Sequence, residues 1–167
     1  MFSVGILTIS TKGSKGQRED QSGEVIRDMV LSAGNRVVEY AIIPDDRGLI
    51  SIKLVEWADR GDIDVILSTG GTGLSDTDVT PEATAVVVDK LVPGIPEIIR
   101  METFKKTPTA ILSRAVAGVR KKCLIINMPG SPRAVSECLG LIMPVIQHAV
   151  DIIKGVVTEH GTQHGGE

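Results

Sequence analysis

Apolar residues along the chain gather in short runs bounded by glycine, proline, asparagine or aspartate, and between those runs they recur at intervals of three and four. The runs at residues 2–9, 37–43, 65–67 and 124–126 are rich in valine and isoleucine, which predicts buried strands. Val25, Ile26, Met29, Val30 and Ala33 form an apolar stripe that Gly34 can terminate, predicting a first helix. Ile50, Leu54 and Trp57 predict a second. Thr80 as N-cap and Pro81 at the first helical position start a third, expected to run over 83–91 until the sequence Pro93-Gly94-Ile95-Pro96 breaks it. A short helix over 96–101 follows, and residues 104–122 show no decisive period. The last helix is expected to start at Pro132 behind Ser131. Its inward face is Val135, Cys138, Leu139, Ile142, Ile146, Ala149 and Ile153, and Pro144 should kink it. Strands alternating with helices predict βαβ crossovers and an α/β fold, a mostly parallel sheet covered on both faces.

The length of 167 residues suits one domain over residues 1–155, followed by a flexible C-terminal tail at 156–167. His160 and His164 lie among glycines in that tail without carboxylate or cysteine company, a weak metal signal. Apolar residues make up 42% of the chain and aromatics only 2%, so the core is expected to be aliphatic. The opening MFSVGILTIS has no basic leader pattern, and Cys123 and Cys138 read as buried thiols, which predicts a cytoplasmic protein. No apolar stretch is expected to approach the ~20 residues that span a bilayer, so no membrane contact is predicted. A net charge of −3 argues against a nucleic-acid binder. The acid-free window 104–136 nonetheless carries Lys105, Lys106, Arg114, Arg120, Lys121, Lys122 and Arg133. It reads either as a surface for an anionic ligand or as a solvated face.

The chemistry concentrates where strands end. Val65-Ile66-Leu67 runs into Ser68-Thr69-Gly70-Gly71-Thr72-Gly73, at the carboxyl end of a strand where open parallel sheets bind ligands. Glycines there let backbone N–H groups face a phosphate, although a tight turn needs the same residues. Asp78 follows. A carboxylate beside phosphates would repel them unless a divalent cation lies between, so it reads as a magnesium ligand or else as a loop aspartate capping a turn. Pro44-Asp45-Asp46-Arg47-Gly48 has the composition of a turn, and places a second carboxylate at a strand exit. Asn127-Met128-Pro129-Gly130-Ser131-Pro132 leads a strand into a helix N-terminus, whose free N–H groups suit an anion.

Together these stretches resemble the molybdopterin adenylyltransferases, the MogA/MoaB-like group. The resemblance rests on Thr69-Gly70-Gly71-Thr72-Gly73 followed by Asp78-Val79-Thr80-Pro81-Glu82-Ala83-Thr84. It extends to the opening strand through Ser10, to Asp20-Gln21-Ser22-Gly23, Pro44-Asp45, Leu112-Ser113-Arg114, Ala117-Gly118-Val119-Arg120 and Ile125-Ile126-Asn127-Met128-Pro129-Gly130. It implies a three-layer α/β/α domain, assembled as a homotrimer, that uses Mg2+ to transfer AMP from ATP to molybdopterin in molybdenum cofactor biosynthesis. A molybdenum insertase is an implied partner. Asp45 and Asp78 match the catalytic, magnesium-holding aspartates. Gly70, Gly71, Thr72 and Gly73 match the phosphate loop, and Gly130, Ser131 and Pro132 a second nucleotide-side loop. Ser113 and Ser10 match positions near molybdopterin. The chain departs from the family pattern at Thr11, Thr77 and Ser131, where Asp, Arg and Asn are usual; a non-catalytic, MoaB-type module is the alternative.

Overall fold

The computed structural model describes residues 1–156; the predicted tail beyond that point, with His160 and His164, lies outside the described residues. Six strands form one sheet in the order β2-β1-β3-β6-β5-β4. They are β1 (Ser3–Ile9), β2 (Arg36–Ile43), β3 (Val65–Thr69), β4 (Lys90–Leu91), β5 (Ala117–Arg120) and β6 (Cys123–Met128). β1, β2, β3 and β6 pair in parallel; β5 runs antiparallel to β6, and β4 antiparallel to β5. The helices are α1 (Thr11–Ser14), α2 (Gln21–Ser32), α3 (Arg47–Arg60), α4 (Thr80–Ala85), α5 (Gly94–Phe104) and α6 (Pro132–Lys154), with a 3-10 turn at Pro108–Leu112.

The period of two along the central strands divides the core. Val4, Ile6, Val65, Leu67, Leu124 and Ile126 face one side, where they meet Ile26 and Val30 of α2, Ile95 and Ile99 of α5, and the buried stripe of α6. Leu7, Ile9, Ile66 and Ile125 face the other and meet Ile50, Leu54 and Trp57 of α3 and Ala83 of α4. The result is the three-layer α/β/α arrangement expected from the sequence, with both sheet faces dry.

Several local expectations are corrected. α4 stops at Ala85, and the predicted helix over 83–91 gives way to the edge strand β4. The run Val86-Val87-Val88 is costly in a helix because each side chain is branched at Cβ. The backbone instead pairs with β5 through Asp89 N to Val119 O and Val92 N to Ala117 O, both 2.8 Å. Val79, not Thr80, is the N-cap of α4; the Thr80 hydroxyl is directed to Gly70 O at 3.0 Å. α5 is longer than the expected 96–101, because Pro96 falls in its first turn, where a missing N–H costs nothing. α6 starts at Pro132 behind Ser131 as expected and continues through Pro144 to Lys154. Against expectation, this 23-residue helix is long and apolar enough to cross a membrane by length and composition. Its stripe of Val135, Cys138, Leu139, Ile142, Ile146 and Val150 is buried.

Candidate functional site

The exits of β1, β2, β3 and β6 converge because parallel strands end on the same edge. Thr69 at the end of β3 donates its hydroxyl to Pro129 O at 2.6 Å, tying the β3 exit to that of β6. Gly70 and Gly71 then turn with φ of +99° and +65°. These values suit glycine, and there is no room for more: a Cβ on Gly70 would lie 2.3 Å from Ile9 O, and one on Gly71 2.3 Å from Thr80 Oγ1. The buried Thr80 anchors the turn, its N–H donating to Gly71 O at 3.1 Å and its hydroxyl to Gly70 O. With the carbonyls so engaged, the N–H groups of Gly71, Thr72 and Gly73 meet no acceptor among the described residues. Successive free N–H groups of this kind form an anion-binding strip.

The two candidate aspartates stand at opposite ends of this strip. In the Pro44 turn, Asp46 supplies the α3 cap, its Oδ1 accepting from Leu49 N at 2.9 Å. Asp45 is left to face the strip, with Oδ1 3.5 Å from a Cβ built on Gly71. Its Oδ2 accepts from Thr11 N and Thr11 Oγ1, each at 2.8 Å, and Asp45 N donates back to Thr11 Oγ1 at 3.1 Å. Thr11 is therefore the residue that orients Asp45. At the other end, Asp78 Oδ2 lies 2.9 Å from a Cβ built on Gly73 and accepts from Ser75 N at 2.9 Å. The Oδ1 atoms of Asp45 and Asp78 accept nothing among the described residues. Carboxylate oxygens of this kind are the ligand type Mg2+ takes, one or two at a time, with water and phosphate completing its shell. Among the described residues no group of three or more His, Cys, Asp or Glu is placed to hold a metal by itself.

Two cavities flank the strip. The first, about 600 Å3, is lined by Ser10, Asp45, Gly70, Gly71, Gly130 and Pro132, together with Thr11, Lys12, Arg18, Asp20 and Thr77. The second, about 540 Å3, is lined by Thr72, Gly73, Ser113 and Ser131, with Ile99, Leu112, Ala115 and Cys138 among its apolar walls. Ser10 and Ser113, expected near one ligand, thus line different cavities, and the Ser10 hydroxyl already accepts from Gly13 N as the α1 cap. Asp78 itself lines neither cavity. Gly130 sits with its Cβ position 3.4 Å from Gly70 Cα, while Ser131 caps α6. Ser22 Oγ donates to Gly130 O at 2.8 Å, fixing the second loop to the start of α2.

Some functional candidates escaped sequence reasoning. Lys12 and Arg18 supply positive charge at the first cavity, outside the acid-free window on which charge counting focused. Within that window Lys105 pairs with Glu102, and Arg114 pairs with Glu82, holding the Glu82 carboxyl below its usual range. Asp20, noted only as a helix start, accepts from Thr8 Oγ1 at 2.6 Å, from the Tyr40 hydroxyl and from Gly23 N. Burial, and then the bond to Asp20, push the Tyr40 pKa upward, so the phenol stays protonated and donating. Cys123 and Cys138 are buried free thiols, with burial raising their pKa to about 12 and about 11. They are inert rather than reactive.

Comparison with known proteins identifies the family. The family described as "Probable molybdopterin binding domain" matches residues 5–148. A molybdopterin adenylyltransferase of Helicobacter pylori strain J99 is 44% identical over 154 residues, 91% of this chain and 88% of that protein. Molybdenum cofactor biosynthesis protein B of Escherichia coli K12 is 42% identical over 132 residues, 78% of this chain and 76% of that protein. The crystal structure of the molybdopterin biosynthesis enzyme MoaB from Thermus thermophilus superposes with a TM-score of 0.87 at 46% identity, covering 93% of this chain and 98% of that one. Fold and sequence therefore lead to one assignment: the chain belongs to the MogA/MoaB-like molybdopterin-binding family.

Proposed function

We propose that the protein is a molybdopterin adenylyltransferase, a nucleotidyltransferase of molybdenum cofactor biosynthesis. The observation that carries this reading is the strip of free N–H groups at Gly71, Thr72 and Gly73 with a carboxylate at each end. A scaffold that only held a pterin would have no use for paired carboxylates beside a phosphate-binding backbone, since they would repel it.

In this reading a terminal phosphate oxygen of molybdopterin attacks the α-phosphorus of ATP. One phosphorus–oxygen bond forms, the bond to the β-phosphate breaks, and pyrophosphate leaves. Bringing two anions together is the obstacle, so the chain contributes position and charge rather than covalent chemistry. The first cavity takes ATP: the strip N–H groups bind phosphate oxygens, and Lys12 and Arg18 draw the triphosphate in. Magnesium, when bound, offsets the triphosphate charge; Asp45 and Asp78 would hold it. The second cavity, with its apolar walls and Ser113, takes molybdopterin, so that the strip lies between the two substrates. Ser10 then serves the nucleotide side.

A second reading, a MoaB-type module that binds molybdopterin without chemistry, is favoured by the nearly equal identity to the Escherichia coli B protein. Purified protein incubated with ATP, Mg2+ and molybdopterin separates the two. Adenylylated pterin and pyrophosphate are expected; tight pterin binding without product would establish the module instead. We further propose a homotrimer, a cytoplasmic location and docking to a molybdenum insertase, the first of which sedimentation would test.

A further inference from the structure

Arg114 counts as a basic residue of the acid-free window, yet it lines neither cavity. Its guanidinium is spent on groups of the chain itself, although the side chain stays 34% exposed. Nε donates to Gly73 O at 2.7 Å, Nη2 to Asp78 O at 2.6 Å, and Nη1 pairs with Glu82 in the first turn of α4. Its own N–H donates to Thr72 O at 3.0 Å. One side chain therefore grips the glycine strip at Gly73, the backbone of the candidate metal ligand Asp78, and the helix that follows. On either side of it in sequence, Ser113 and Ala115 line the second cavity, and Arg100 Nη1 holds their carbonyls at 3.3 and 3.4 Å.

We propose that Arg114 is a positioning residue for adenylyl transfer: it fixes Asp78 and the end of the phosphate strip relative to Ser113, and so holds the two substrates' cavities in register. This rests on the adenylyltransferase reading above. A lysine cannot replace it, because a single ammonium lacks the planar fork that reaches two carbonyls and a carboxylate at once. Glu82 matters to the device as the counter-charge that orients the fork. Misplacing reacting groups by about an ångström costs on the order of 100-fold in rate without much change in ground-state binding.

The test is steady-state kinetics on the full chain with the Arg114→Lys and Glu82→Gln variants, with melting temperatures measured alongside. Arg114→Lys is expected to lower kcat by roughly 10- to 100-fold while KM for ATP and for molybdopterin changes by less than about threefold. Pterin fluorescence titrated in magnesium-free buffer should give an unchanged affinity for molybdopterin. Glu82→Gln, whose partly exposed charge pair carries less, should lose under about tenfold in kcat and keep the fold even if Arg114→Lys does not. A rise in KM and a weaker pterin titration at unchanged kcat would make Arg114 a substrate contact and overturn the proposal. A fall in melting temperature with full kcat per folded molecule would make it a fold clamp and overturn it equally. Wild-type protein that forms no adenylylated pterin would sink the adenylyltransferase reading and this role with it, whereas active wild type with an equally active Arg114→Lys would sink this role alone.

Discussion

The two halves of the sheet are built differently. β2, β1, β3 and β6 are parallel strands whose side chains, apart from β2, are buried along their whole length, and their exits carry the site. β5 and β4 are antiparallel and short, and β4 has both residues exposed. The first half is held by aliphatic burial. The second is stitched on by polar side chains: Arg120 donates to Asp59, Lys121 N to the Asp89 carboxylate, and Val116 N to Asn127 Oδ1. Where apolar surface supplies the stability, backbone groups at the strand ends are free to serve a ligand. Where it does not, polar groups are consumed in holding the chain.

Breaking the free backbone of the first half should have the largest effect. Gly71→Ala places a Cβ against Thr80 Oγ1 on a backbone with positive φ. Adenylyl transfer is expected to fall by at least about 100-fold, since the strip must move to relieve the clash. Asp78→Asn, nearly isosteric, should lower turnover by at least about tenfold, or about 1.4 kcal/mol of transition-state stabilisation, with an unaltered circular dichroism spectrum. Pyrophosphate release at the wild-type rate would remove Asp78 from the proposed metal site.

The seam between the halves should be more sensitive in stability than in chemistry. Asn127 is buried, and its amide donates to Ser68 Oγ and Thr84 Oγ1, both at 2.9 Å, while its carbonyl accepts from Val116 N. Asn127→Ala leaves these buried partners without their hydrogen bonds at the wall of the second cavity, and denaturant unfolding should show a loss of about 2–4 kcal/mol. A loss below about 1 kcal/mol would mean that the two halves do not depend on this amide. The smallest effect belongs to the charged edge. Hydrogen bonds from Arg120 and then Lys121 lower the Asp59 pKa from 3.8 to about 2. A depressed folded-state value means that the contribution is complete above pH 3.8 and is lost as pH falls through about 2. The stabilities of wild type and Asp59→Asn should therefore converge as acid is added through that window; parallel curves would show the pair to be idle.

The same contrast explains what could be read in advance. The parallel strands announce themselves because burial on both faces demands unbroken aliphatic runs, and the site loops because only glycine, proline and aspartate suit their turns. β4 stayed hidden: two residues give no period, and the valine run before it looks like the end of a helix. The place of Arg114 is not legible in the same way, because a charge count cannot tell a guanidinium that faces solvent from one folded back on carbonyls. The link between Thr11 and Asp45 was equally invisible, since it joins residues 34 positions apart whose meeting depends on β1 lying beside β2. Asp45 and Asp46 are chemically alike in sequence, and only the start of α3 determines which one caps and which one faces the cavity.

The crowding at Gly70 bears on how this protein can be altered. The loop after β3 cannot be transplanted or diversified as a unit, because its first residue rests on the carbonyl of Ile9 and beside Gly130, each from a different strand exit. An engineer seeking another nucleotide or pterin would do better to vary the outer walls, at Arg18 or Leu112, than the turn itself.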